Sequence, residues 1–177
     1  MSIMASLGAV VGIMVGAVIC VLWFRYANTD KKIKTEYDER QQIIRNNGYR
    51  LGFYTILTVQ VVLIVLAMGG LELPMVTYAQ HFVSIMAGAT VLGVYCILKD
   101  VYWGLNNNIM RYTALFIFTI ILNCIPIVGA AKTGTLIVDG RMGMASLNIQ
   151  VMIMLTAIVI TLLIKKFTGG SGKEEEE

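Results

Sequence analysis

Five stretches without a charged residue, 1–24, 51–71, 73–98, 112–131 and 142–164, occupy most of this 177-residue chain and limit what it can fold into. A soluble core cannot absorb them, because 57% of the residues are apolar and only 14% are charged, too few to cover so much apolar surface. A bilayer can, since a spanning helix needs about 20 predominantly apolar residues. In lipid every backbone N–H and C=O must be satisfied internally, which makes runs of this length helices. The expected fold is an all-α integral membrane protein, one domain over 1–167. Its five transmembrane helices lie near 3–24, 51–69, 81–98, 112–131 and 146–164.

Lysine and arginine orient these spans. Seven fall in 25–50, two in 99–111 and three from 165 onward, against only Lys132 and Arg141 in the alternate connections. The positive-inside rule therefore predicts an N-out/C-in arrangement with 25–50, 99–111 and the C-terminus in the cytoplasm. Trp23, Phe24, Tyr26, Tyr49, Phe53, Tyr54, Tyr102, Trp103, Tyr112 and Phe167 lie near the same helix ends, where amphipathic rings suit the headgroup layer. Tyr78, His81 and Phe82 mark the other side. No Lys or Arg precedes the first apolar run, and the run exceeds a signal-peptide core, so it reads as a retained helix. The net charge of +3 is accounted for by a basic face against an anionic leaflet and calls for no nucleic acid.

The one long polar stretch, 25–50, carries Ile33, Tyr37 and Ile44 at helical spacing, which predicts an amphipathic cytoplasmic helix over 29–46. Thr29 or Asp30 would cap it, Glu36 would pair with Arg40, and Asn46-Asn47-Gly48 would close it before helix 2. Gly104-Leu105-Asn106-Asn107-Asn108 reads as a turn-rich inner loop. Asp139-Gly140 is compatible with a small hairpin or a frayed loop. Residues 168–177 form a flexible acidic tail.

Gly8, Gly12 and Gly16 stack on one side of helix 1 as overlapping GxxxG units, which in lipid let helix backbones approach. Their expected partner is helix 3, through Ser84/Gly88 and Ala89/Gly93, or else a second copy or another membrane protein. The intramembrane polar residues are Gln60, Asn123 and Gln150. Pro126 removes a helix donor and frees the carbonyl of Leu122. Gln60 and Asn123 lie at similar depth, so they can serve as packing glue or, if they meet, line a small-solute pathway. No ionisable side chain lies deep in a span, which argues against proton relays and ion-coupled carriers.

Cys20, Cys96 and Cys124 fall within spans without a CxxC pattern, so neither a zinc site nor a disulfide framework is expected. The methionines read as adaptable apolar filling; Met142-Gly-Met144 is the only adjacent thioether pair that could share a soft ion. His81 has no sequence-level nucleophile or carboxylate partner, and no HExxH, GxSxG or phosphate loop occurs. No enzyme, cofactor or metal is expected.

At Asp38-Glu39-Arg40-Gln41, continuing through Ile43-Ile44-Arg45 to Gly48, Tyr49 and Phe53, the chain resembles a loose group of small uncharacterised bacterial multi-span membrane proteins. In that group a D-E-R-Q-like stretch follows the first span. The resemblance covers about residues 33–60 and implies an accessory or regulatory component of a bacterial inner membrane, with a cytoplasmic partner docking on 33–45. The expected function is a non-enzymatic accessory, regulatory or immunity-type protein that contacts another protein through Tyr37, Asp38, Glu39, Arg40 and Gln41. The alternative is a solute or ion pathway, as a homo-oligomeric pore or a permease subunit.

Overall fold

The computed structural model describes residues 3–170, with side-chain surroundings for 10–11, 14–165 and 167. Among these run five helices: α1 (Ile3–Ala27), α2 (Glu39–Met68), α3 (Thr77–Leu98), α4 (Ile109–Lys132) and α5 (Ala145–Gly170). A two-stranded hairpin, β1 (Ile137–Val138) and β2 (Arg141–Met142), joins α4 to α5. Four helices, α2 to α5, are long and apolar enough to cross a membrane, and the stretch Met14–Ala27 of α1 is a shorter apolar helix. The chain divides into two compact units, Met1–Asp38 with Trp103–Leu115, and Glu39–Tyr102 with Phe116–Glu177.

In the second unit α3 packs against both α2 and α5. The buried and half-buried positions of α2 recur at 41, 44, 45, 48, 52, 55, 56, 59, 60, 63 and 66, one stripe at three- and four-residue steps. That stripe begins well before the apolar window, so the separate helix predicted over 29–46 is corrected. Residues 29–38 are non-helical, and 39–50 are the first turns of α2 itself. Asn46-Asn47-Gly48 is likewise helix interior and not a turn. The poor helix propensity of these residues is overridden by packing, because Gly48 faces α3: a Cβ there would stand 3.0 Å from Tyr95 Cδ1 and 3.1 Å from Leu92 Cδ1.

One turn on, a Cβ at Gly52 would lie 3.0 Å from the Gly88 carbonyl oxygen, and one at Gly88 would lie 2.7 Å from the Gly52 carbonyl oxygen and overlap the Ile56 side chain. Gly48-x-x-x-Gly52 and Gly88 thus form the close helix crossing of this unit, of the kind in which small residues let backbones touch. Gly93 serves another neighbour, with Ile158 Cδ1 of α5 3.3 Å from its would-be Cβ. Gly88 and Gly93 thus face α2 and α5. On α1 itself, Gly16 meets open space; the surroundings of Gly8 and Gly12 lie outside the described residues.

The two ends of this unit are tied differently. At one, Asp139 (φ 51°) and Gly140 (φ 74°) both occupy the left-handed region, the requirement of a tight two-residue hairpin turn, and register Ile137 against Met142. The hairpin is strapped to the α2–α3 connection: Met142 N–H donates to Pro74 O (2.8 Å), Val76 N–H to Met142 O (3.1 Å), and Arg141 pairs with Glu72 at 2.9 Å. At the other end Lys165 of α5 donates to the last carbonyls of α3, Ile97 O (2.7 Å) and Leu98 O (3.0 Å), and pairs with Asp100 at 2.7 Å. A cation at those carbonyls both satisfies orphan acceptors and opposes the negative helix end.

Candidate functional site: a polar clasp on the α1–α2 connection

The most densely bonded polar group among the described residues lies in the first unit. It joins residues 28–36 to the loop 104–108, and its centre is Asn28, fully buried. The Asn28 Oδ1 accepts from Asn107 Nδ2 (2.8 Å) and from the Tyr112 hydroxyl (3.0 Å), while its Nδ2 donates to Lys32 O (2.9 Å). Asn107 uses its other atom to accept the Gly104 N–H at 2.8 Å. Asn106 is also buried: it accepts Glu36 N–H (2.8 Å) and donates to Lys34 O (3.0 Å) and to Asp30 Oδ1 (3.2 Å). Main-chain bonds run beside these, with Leu105 N–H to Glu36 O (2.8 Å), Thr29 N–H to Asn106 O (2.8 Å) and Asn108 N–H to Ala27 O (3.1 Å).

Buried amides are costly unless bonded, and here Asn28 and Asn106 each have both donor and acceptor atoms engaged, Asn106 entirely with the connection and Asn28 bridging Lys32 to Asn107 and Tyr112. Asn108 completes the run by capping α4, its Oδ1 accepting the Arg111 N–H at 3.1 Å. Arg111 in turn donates to Tyr26 O (2.6 Å) and stacks 4.6 Å from the Tyr26 ring centroid. Gly104 has no room for a side chain: a Cβ would stand 2.6 Å from Glu36 O and overlap the Thr35 methyl. Around the clasp Tyr112 lies against Trp103 (centroids 5.7 Å apart) and Phe24 (6.4 Å).

Local chemistry explains why 29–38 is not a helix. Asp30 Oδ1 accepts the Lys32 N–H at 3.0 Å in an Asx turn, and Lys31 sits at φ 57°. The acid pairs predicted along a helix are rearranged, since Glu36 bonds Lys32 at 2.9 Å and not Arg40. The Lys32 backbone N–H, with Asn106 Nδ2 and the Lys32 ammonium, holds the Asp30 carboxyl below its usual range. The Lys32 ammonium is pushed up by its hydrogen bond to Glu36 and by the charges of Glu36 and Asp30. A carboxylate with a lowered pKa contributes stability above its unfolded value and loses it as pH falls through the folded one. Acidification below the ordinary carboxylate range is therefore expected to speed hydrogen exchange at the Lys32 amide relative to intrinsic rates. An Asp30→Asn chain should lack that acid step; an equal step in both chains would refute the assignment.

The predicted site residues fall as follows. Tyr37 and Asp38 close the first unit; Glu39, Arg40 and Gln41 open α2, with Asp38, Glu39 and Arg40 exposed. Gln60 and Asn123 are bonded apart: Gln60 to His81 and Ser84 on α3, Asn123 back to Thr119 O of its own helix at 2.8 Å. Gln150 donates to Ala79 O at 3.0 Å, tying α5 to α3, and its Oε1 is buried without a partner among the described residues. Pro126 lies inside α4. The clasp asparagines and the Gly48/Gly52 pair are the positions that sequence reasoning misses. The signals were a triple asparagine directly before a helix, and a second GxxxG spacing hidden by its charged neighbours.

Helices of this length and apolarity fit the class of α-helical membrane proteins. No protein-family model matches the chain, and neither a curated protein nor a solved structure shows significant similarity to it.

Proposed function

We propose that the protein is a non-enzymatic accessory or regulatory component of a bacterial inner membrane, spanning it five times N-out/C-in, and that it acts by docking a protein partner on the cytoplasmic segment around Tyr37–Gln41. The observation that carries this reading is the clasp. Its buried polar atoms bond to one another and to the backbone of 28–36, a role of positioning and not of reaction. Residues 28–36 are thereby fixed just before the exposed Asp38 in the sequence. Fixing a binding segment beforehand lowers the ordering cost of association, and adjacent opposite charges suit partner selection more than bulk affinity. The alternative, a small-solute or ion pathway, draws on Gln60, Asn123 and Pro126 inside α4; the Gln60 amide bonds to His81 and the Asn123 amide to Thr119 O of its own helix.

The test is native mass spectrometry of protein gently extracted from its own membranes at native expression, beside a Glu39→Lys/Arg40→Glu chain. The expected result is a heteromeric mass in the parent chain and at least a tenfold loss of the partner-bound fraction in the variant, about 1.4 kcal/mol. Unchanged partner occupancy after charge reversal would refute docking at this segment.

A further inference from the structure

The chain has one histidine, and it stands in a three-residue hydrogen-bonded link between α2 and α3. Gln60 Nε2 lies 2.9 Å from His81 Nδ1. The Ser84 hydroxyl lies 3.1 Å from Gln60 Oε1 and 2.7 Å from the His81 carbonyl oxygen, so its single hydrogen is shared between two acceptors. Ser84 is buried whereas His81 is exposed, so one end of the link is sealed in the helix interface and the other is open to the surroundings. We propose that Gln60, His81 and Ser84 form a proton-operated switch in which protonation of His81 reverses the direction of the hydrogen-bond chain between α2 and α3.

The chemistry follows from the donors and acceptors present. With the imidazole neutral and its proton on Nε2, Nδ1 offers a lone pair, Gln60 Nε2–H donates to it, and Gln60 Oε1 accepts from Ser84. A proton taken from water by Nδ1 forms an N–H bond there and leaves an imidazolium with two N–H groups. Nδ1–H then faces the Gln60 amide hydrogens, and two donors cannot bond each other. A half-turn of the carboxamide resolves the conflict. Oε1 accepts Nδ1–H, Nε2 donates to Ser84 Oγ, and the Ser84 hydrogen goes wholly to the His81 carbonyl. The same three residue pairs stay bonded, with Oε1 and Nε2 of Gln60 exchanging partners, and the bond to the imidazolium is charge-assisted. Neither state leaves a buried polar atom stranded, so the link can change direction without opening the Gly52–Gly88 crossing.

Few other groups compete for the proton. The helices that pack on α3 bring no ionisable side chain near it: α2 has none between Tyr54 and Gly70, and α5 none from Ala145 to Ile164. On α3 itself the remaining ones are Tyr78, Tyr95 and Cys96. In the adjoining connections Glu72 and Arg141 are paired with each other, and Asp139 sits at the hairpin turn between β1 and β2. His81 is the one imidazole on the helix pair.

The experiment uses the full chain in phospholipid bilayers with nitrogen-15 in the histidine ring and the glutamine side chains, followed by NMR from pH 5 to 8. The Gln60 signal is assigned by its loss in Gln60→Met. The expected result is that the Gln60 carboxamide signals move with the same midpoint as the His81 ring nitrogens, and that in His81→Gln they stay fixed across the range. The proposal is overturned if His81 takes up no proton in this range, if the Gln60 signals hold still while His81 titrates, or if they move equally in His81→Gln. The wild-type titration needs no variant to fold, and none of these readings depends on a docking partner.

Discussion

Gly88→Leu is expected to destabilise the chain by about 3 kcal/mol, at the upper end of what overpacking a tight interface costs. The reason is backbone and not side chain. A Cβ at this position lies 2.7 Å from the Gly52 carbonyl oxygen, so even after Ile56 rotates away the two helices must separate. Gly88→Ala should cost less, because a gain of about 1 kcal/mol in helix propensity offsets part of the clash. Ile56→Ala should rescue Gly88→Ala only in part, since the carbonyl contact persists. Gly16→Ala is the matched control, with nothing within 4 Å of the added carbon, and should be neutral or slightly stabilising. Thermal unfolding in micelles, read beside a spin-label distance between α2 and α3, checks all four. An unchanged midpoint and distance for Gly88→Leu would show that the crossing is wider than described.

The second large effect is expected at Asn106→Asp, a nearly isosteric change that converts two donors into acceptors. The new carboxylate would face Asp30 Oδ1 and the Lys34 carbonyl across the 3.2 Å and 3.0 Å now bridged by amide hydrogens. The loss of the donor to the Lys34 carbonyl together with the like-charge pair is expected to raise the open clasp by roughly a hundredfold. Lys31, Lys32 and Lys34 lie in the held segment and are trypsin sites, and cleavage of a briefly opened segment tracks its open population. The measurement is therefore the rate of cleavage at these lysines in vesicles with the clasp facing the protease. Asn106→Ala should fall between parent and Asn106→Asp, because it strands the Glu36 N–H without adding charge. Equal rates for all three chains would mean that the segment is held by something other than this side chain.

Helices were the legible part of the sequence, because runs of twenty apolar residues admit few alternatives in lipid. The hairpin at Asp139-Gly140 was half legible: the dipeptide names the turn, but only pairing of Met142 with Pro74 and Val76 fixes it against a frayed loop. The start of α2 was not legible. Asp30, Asn46, Asn47 and Gly48 carry local signals for caps and turns; Asp30 uses its own in an Asx turn to Lys32 and not as a helix cap, while Gly48 is drawn into the helix by its approach to Tyr95. Glycine spacing alone pointed to α1, whereas the tight crossing between α2 and α3 uses Gly52 and Gly88, because spacing says which face is flat and not which neighbour meets it. The partner of Gln60 was equally out of reach: depth suggested Asn123, and the bond is to His81.

The clasp also sets an order for assembly in the membrane. Asn28 and Asn107 are 79 residues apart, so the α1–α2 connection has no partner until the loop before α4 has left the ribosome. At about 5–20 residues per second that delay is roughly 4–16 s, during which α2 and α3 are already made and 28–36 remains open to proteases and chaperones. Closure of the clasp is thus a late event in the making of the chain, since Asn28 waits for Asn107 through the synthesis of everything between them.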